Sequence, residues 1–241
     1  MGKLTAVIAT VPVIFSSLPS QLLAQSYPGW QLSLEFPLKD SEFLPGRRHS
    51  DGRGEARTPC PKAFRLPTKM TALMPPDNLV TTVAAHPTLF IYIPGTGQFA
   101  EAELAVYDEQ DNTVYRKNIL LPKTPGILRL SLPETVSLEI GKNYLWYFSL
   151  MCDPDERSRE PFVQGWFQRT ELNPELQTML EKESDLLEQA LLYCQAKIWH
   201  ETLTLLADLR ESNPAEWEEL LKSVELEEIS QQPFVDCCLK E

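Results

Sequence analysis

At Asn173-Pro174 the hydrophobic period of this chain changes, and that switch constrains the fold more than any other feature. Upstream, from about residue 68, short apolar runs alternate with turn signals. "TALMP" stops at Pro75-Pro76-Asp77-Asn78, "LVTTV" at "AAHP" and "TLFIYIP" at "GTGQ". "AELAVYDEQDNTVYRKNILLP" reads as a hairpin turning at Asp108 to Asn112, and "GILRLSLP", "YLWYFSLMC" and "FVQGWFQRT" follow. Seven or so strands at roughly 8–12-residue spacing predict an antiparallel β-sandwich. "NYLWYFSLM" is apolar on both faces, which suits a central strand. In "FVQGWFQRT", Phe162, Gln164, Trp166 and Gln168 share one face, and Val163, Gly165, Phe167 and Arg169 share the other.

Downstream the period is helical. Asn173 is placed to cap a helix and Pro174 to open it. Leu176, Leu180, Leu187, Ala190, Leu191 and Cys194 keep a 3.6-residue period. A second helix over about 198–210 puts Trp199, Leu203, Leu206 and Leu209 on one face. A third restarts at Ser212-Asn213-Pro214 and carries Trp217, Leu220 and Leu221. The pair resembles one tetratricopeptide-type hairpin, with Ala190, Tyr193, Trp199, Leu206 and Pro214 at the small, aromatic and proline positions of that repeat. Thr202 and Leu209 stand where it usually has alanine. A lone repeat cannot bury its own face, so these helices are expected to dock on the strands or on a partner. The expected fold is therefore α+β: a β-sandwich over 60–170, a docked tetratricopeptide-like helical segment over 171–230 and a tail over 231–241.

The first 24 residues have the layout of a secretory signal peptide: Lys3, an apolar run from Leu4 to Leu18, and a small residue, Ala24, at the cut. The run is shorter than the roughly 20 residues of a spanning helix and contains Pro12. Export to the periplasm or cell envelope is expected, with no membrane span after cleavage. Residues 25–59, as in "FLPGRRHSDGRGEARTPCP", show no periodicity and read as a loosely ordered arm.

Charge is divided unevenly. Residues 171–241 carry 17 acidic and 5 basic side chains, whereas residues 1–170 carry 17 of each, so the net charge of −12 belongs to the C-terminal third. Nucleic acid is a poor partner for such a chain, because phosphates reward Lys and Arg. Anionic membrane surfaces are disfavoured for the same reason.

The five cysteines are Cys60, Cys152, Cys194, Cys237 and Cys238. None has structural-zinc spacing, and no metal or cofactor is expected. Cys194 lies in a helical stretch and reads as a small buried hydrophobe. Cys237 and Cys238 sit in the tail. Cys60 and Cys152 border polar turns at the ends of the strand-rich region, and an oxidising compartment permits a disulfide between them.

The densest chemistry lies in "SLMCDPDERSREPFVQGWFQRTEL". An EF-hand loop started at Asp153 would have Ser158 at its sixth position and Gln164 at its twelfth, so the calcium template fails. Two carboxylates in a cleft suit glycoside hydrolysis, but acids on a turn tip are ordinarily solvated or paired with arginine. His49, His86 and His200 fall in no nucleophile signature, and "IPGTGQF" lacks the lysine of a phosphate loop. The stretch is thus a charged hairpin connection, with Asp153, Asp155, Arg157, Trp166 and Arg169 as candidate binding residues. Arg157 and Arg169 are expected to pair with Asp153, Asp155 or Glu156.

In this order, "PTLFIYIP", "YDEQDNTVY", "TPGILRLSLP", "YLWYFSLMCDPDERS", "FVQGWFQR" and "IWHETLTLLADLRESNP" resemble the cyanobacterial domain-of-unknown-function 928 family over about residues 45 to 230. That resemblance implies a cyanobacterial exported protein and brings no activity, cofactor or catalytic residue. Two functions are in view. The first is a non-enzymatic module binding another exported or envelope protein. The second is a carbohydrate-binding or carbohydrate-cleaving sandwich with Trp166 as a stacking platform. Trp166 is expected inside, since strand tryptophans usually fill cores, and its burial separates the two.

Overall fold

The computed structural model describes residues 34–37, 48–50, 69–76, 79–95, 101–151 and 160–236. Among these described residues, ten strands and five helices follow in order: β1 (His49–Ser50), β2 (Met70–Ala72), β3 (Leu79–Thr82), β4 (Thr88–Ile93), β5 (Glu101–Tyr107), β6 (Thr113–Leu120), β7 (Gly126–Ser131), β8 (Asn143–Leu150), β9 (Phe162–Arg169), α1 (Pro174–Lys182), α2 (Leu186–Gln195), α3 (Trp199–Asp208), α4 (Pro214–Ser223), α5 (Glu227–Ser230) and β10 (Phe234–Val235). The α+β class holds, and the strands do precede the helices except for β10. The signal segment, Cys60, Cys152, Asp153, Asp155, Arg157, Cys237 and Cys238 lie outside the described residues.

The strands form two sheets, ordered β1-β2-β4-β7-β10 and β3-β9-β8-β5-β6. The antiparallel expectation needs correcting at two joints: β3 runs parallel to β9 and β10 parallel to β7. Only short hairpins compel antiparallel pairing. β5–β6 is such a hairpin, whereas β3 meets β9 and β10 meets β7 across long intervening segments.

The β5–β6 turn falls where the sequence puts it. The Asp108 carboxylate accepts from the Gln110 and Asn112 amides, both at 2.9 Å, and Asp111 takes φ 61°. Its bond from the Asn112 side chain holds the Asp108 carboxyl below the usual carboxylate range. β8 is central in its sheet, between β9 and β5. It is not buried on both faces, however: Tyr144, Trp146, Phe148 and Leu150 are buried, and Asn143, Leu145, Tyr147 and Ser149 are half-buried. The alternation of β9 is as expected, with Val163, Gly165 and Phe167 inside. A Cβ on Gly165 would lie 2.6 Å from the Met74 sulfur and 3.2 Å from Trp146, so glycine lets the end of the Met74 side chain pack directly on this strand.

In the other sheet, the central strand β4 is apolar on both faces. In β4, Leu89, Phe90, Ile91, Tyr92 and Ile93 are all buried. One face shares the core with the second sheet, and residues of β10 and of the C-terminal helical region pack on the other. Phe90 lies 6.2 Å from Phe234, which lies 5.7 Å from Trp217 of α4. Tyr92 faces Leu226 and Ile229 across a cavity of about 490 Å³.

The helices dock on this framework. The long 3.6-residue period breaks at residues 183–185, where the Asp185 carboxylate caps α2 through the Leu187 and Glu188 amides. Asn173 caps α1, as its position before Pro174 requires. α2 and α3 pack against each other, and α3 reaches β3 and β4. Trp199 is fully enclosed, and its indole N–H donates to the Leu73 carbonyl at 3.0 Å. Glu201 provides the main polar latch: one carboxylate oxygen accepts from the Thr82 hydroxyl and from the Val83 and Ala84 amides, at 2.7, 3.0 and 2.9 Å.

The reading of residues 25–59 as a loose arm and 231–241 as a tail is corrected where they are described. Leu34 and Phe36 are buried, Phe36 stands edge-on to Trp199 at 4.9 Å, and the buried Arg48 donates to the Val224 carbonyl. β1 lies in the arm and β10 in the tail. Apolar fragments this short leave no period to recognise among Pro, Gly and Arg.

Candidate functional site

Alternation on the second sheet puts Glu103, Ala105 and Tyr107 of β5 on its outer face. Their cross-strand partners are Asn118 and Arg116 of β6 and Ser149, Tyr147 and Leu145 of β8. Ala105 is the small member of this set, flanked by Arg116 on one side and Tyr147 on the other. The larger neighbours leave a hollow of about 460 Å³ above it, bordered by Tyr107, Arg116, Tyr147, Ser149 and Glu160.

Aromatic groups continue from this groove across the sheet. The Tyr107 and Tyr147 rings meet edge to face at 5.9 Å, and Tyr147 and Phe162 lie 5.8 Å apart. The Arg116 guanidinium stands 5.9 Å from the Tyr107 ring, donates to its hydroxyl at 2.8 Å and lies 3.8 Å from Glu103. Burial pushes the Tyr147 phenol above its ordinary pKa, with Tyr107 and Asp111 adding to the effect. The groove therefore offers ring faces and edges, a guanidinium, a serine hydroxyl and the buried Glu160 carboxyl within one concavity. That set recognises mixed polar and apolar surface.

Cys194 and His200 have the chemistry of nucleophile and base, and both are held in unreactive settings. Burial pushes the Cys194 thiol up to about 11, with Glu219 adding to it, and the side chain is enclosed. Thiolate, the reactive form, is thereby suppressed. Burial lowers His200 to about 4. Its Nδ1 lies 3.0 Å from the Thr88 carbonyl and its ring meets Phe167 edge-on at 5.9 Å, so a neutral imidazole packs α3 against the strands. Among the described residues there is no group of three or more His, Cys, Asp and Glu placed to hold a metal ion, and no helix long and apolar enough to cross a membrane.

Of the residues singled out in the sequence, Trp166 and Arg169 are described. Trp166 is half-buried on the outer face, in register with Leu79 and Leu145, rather than inside as expected. Gly165 and Phe167 take the core side of the strand, and period 2 leaves Trp166 no other face. Arg169 does not join the acidic turn. It sits at the opposite end of β9, about seven residues and roughly 23 Å along the strand from Phe162. Its guanidinium donates to the Val83 and Leu138 carbonyls and ties two loops together. The expected pairing of Arg169 with Asp153, Asp155 or Glu156 is therefore corrected. Ala105, Tyr107, Arg116 and Tyr147 were missed in the sequence, where "AELAVYDEQDNTVYRKNILLP" reads as a hairpin and "NYLWYFSLM" as a central strand apolar on both faces. The alternation of Tyr and Ser with Trp and Phe in "YLWYFS" was the available signal.

Two packed sheets with C-terminal helices, and a groove on the outer face of the second sheet, define the architecture. The family model described as Domain of Unknown Function (DUF928) matches residues 51–234, and the chain belongs to that family. No curated protein matches it.

Proposed function

We propose that this chain is an exported protein of the periplasm or cell envelope, a non-enzymatic interaction module that holds another envelope protein on the outer face of the β3-β9-β8-β5-β6 sheet. The observation that carries this is the row Tyr107, Tyr147, Phe162 beside the hollow over Ala105. A sheet face that only had to meet water would alternate to polar residues. Half-buried tyrosine next to arginine is the composition favoured at recognition surfaces. In this reading the two sheets act as a β-sandwich, and α2–α3 is a tetratricopeptide-like hairpin that braces it. The close packing of α2 on α3 and the buried Ala190 favour the hairpin. Lys3, the apolar run after it and Ala24 favour export. A Cys60–Cys152 disulfide and a cyanobacterial host belong to the same proposal. Asp153, Asp155 and Arg157, which lie outside the described residues, belong to the same proposal as binding residues.

The test is affinity capture of the tagged protein from its host's envelope fraction, read by mass spectrometry. The wild type should enrich a protein that Ala105→Phe, which fills the hollow, does not. Equal enrichment by both would remove this face from the account.

Carbohydrate binding is the second reading, favoured by Trp166 lying on the outer face rather than in the core. Retardation on polysaccharide gels that disappears in Trp166→Ala would establish it in place of the first.

A further inference from the structure

The last strand is held by the fold without belonging to its core. Among the described residues, burial along the chain ends at Ile229 and Ser230. From Gln231 to Asp236 every side chain is exposed or half-buried. β10 has two residues, and they pair in parallel with Ile127 and Leu128 of β7. A segment with so little burial opens at lower free energy than the core strands beside it.

Even so, the groove that takes this segment is shaped for it. The Ile127 amide donates to the Pro233 carbonyl at 2.8 Å, and Arg210 donates to the Ser230 and Gln232 carbonyls, both at 2.6 Å. The Arg129 and Arg210 guanidiniums stand 5.6 and 5.3 Å from the Phe234 ring. Arg129 also stands 5.2 Å from the Phe90 ring and Arg210 5.5 Å from that of Trp217, so rings and cations alternate across the groove. Asp208 fixes Arg129 at 2.7 Å. A Cβ on Gly126 would lie 2.4 Å from a Val235 methyl and 2.6 Å from the Pro233 carbonyl oxygen, so a side chain there would push the strand away. The groove is wider than its occupant: a cavity of about 770 Å³ remains, bordered by Phe234, Arg129, Asp208, Arg210 and Glu211.

We propose that residues 231–236 are a reversible strap over a strand-acceptor site on β7. When the strap lifts, the site takes an extended segment of a protein partner that carries an aromatic residue followed by a β-branched one. The strap itself displays the chemistry that fits: main-chain bonds to β7, a ring between two guanidiniums, and a compact side chain over Gly126. The populations of closed and open strap then set how readily a partner binds. This surface is separate from the groove over Ala105 and does not depend on it.

Amide hydrogen exchange on the full chain, resolved by residue and corrected for intrinsic rates, tests the proposal. Successive amides of β7 point to opposite sides, so Ile127 reports on the strap and Leu128 on the pairing with β4. The Ile127 amide should exchange about 100-fold faster than the Leu128 amide. Equal rates would overturn the proposal, because the strap would then open only with the whole sheet. Phe234→Ala should speed Ile127 about ten-fold more and leave Leu128 unchanged. The peptide Gln-Gln-Pro-Phe-Val-Asp, added to that variant, should restore the protection of Ile127, and the same peptide with alanine for phenylalanine should not. In Gly126→Ala, Ile127 should exchange fast with or without peptide, because the added methyl group blocks both occupants. Circular dichroism checks that the two variants fold, and the wild-type comparison does not depend on them. Failure of the first peptide to protect Ile127 in Phe234→Ala, or equal protection by the alanine peptide, would discard the acceptor site. Wild-type protection of Ile127 that grows with protein concentration would also overturn the proposal, because a second copy would then be the occupant.

Discussion

The two sheets share a core but face different surroundings. In the β1-β2-β4-β7-β10 sheet, successive residues of β4 are buried whichever way they point, because the second sheet covers one face and β10 and the C-terminal helical region pack on the other. In the β3-β9-β8-β5-β6 sheet, burial alternates strictly along β8, and every second residue reaches the outer face. Among the described residues, the central strand of one sheet is buried on both faces and that of the other on one. The first sheet needs its helices for stability. The second keeps its aromatic side chains on a face that stability alone does not require.

The strongest way to break this comparison is to loosen the helices from the strands. Trp199→Ala removes a fully enclosed side chain and its bond to Leu73. The expected loss is about 3–5 kcal/mol in urea denaturation. A loss under about 1 kcal/mol would show that the helices are only appended.

Acid should loosen the same contact. Unfolded His200 titrates near 6.5 and folded His200 near 4, so the unfolded chain takes up the proton first. Its contribution is complete above pH 6.5 and is lost as the pH falls through 4, about 3 kcal/mol in all. Stability of the wild type minus that of His200→Gln, followed from pH 7 to 4, should show this slope. Glu201 works in the opposite sense. Burial raises its carboxyl, so its contribution is present below its ordinary 4.5 and fades as the pH rises through the folded value.

Cutting the Glu201 latch is a smaller blow. Glu201→Ala leaves the Thr82 hydroxyl and the Val83 amide without this acceptor, while Ala84 keeps its bond to the Thr82 hydroxyl oxygen, and should cost about 2 kcal/mol. Glu201→Gln keeps an acceptor oxygen and should lose less than half of that in the same denaturation series.

On the outer face of the second sheet the smallest effect is the informative one. Ala105→Phe fills a hollow rather than the core, so stability should stay within about 0.5 kcal/mol of wild type while partner capture is lost.

What the sequence revealed follows the same division. Period 2 in β9 and the Asp108–Asn112 turn were legible because local chemistry determines them. The Asn173-Pro174 helix start and the buried Cys194 were legible for the same reason. The parallel placement of β3 and β10 was not, since no short turn dictates a partner that far along the chain. The roles of Leu34, Phe36 and Arg48 were hidden because isolated residues carry no period. Arg169 was drawn to the acidic turn by sequence proximity, when strand length carries it to the far end. The groove escaped notice because Ala105 becomes a hollow only beside Arg116 and Tyr147, and the register that brings them together is tertiary.

The matched pair Phe90→Ser and Tyr147→Ser tests this difference between the two sheets most directly. Each side chain points away from the shared core, one from each sheet, and Phe90 is 3% exposed whereas Tyr147 is half-buried. Urea denaturation should give a loss of about 3–5 kcal/mol for Phe90→Ser. For Tyr147→Ser it should be about 1 kcal/mol or less. Equal losses would contradict the account, because both outer faces would then be parts of one core.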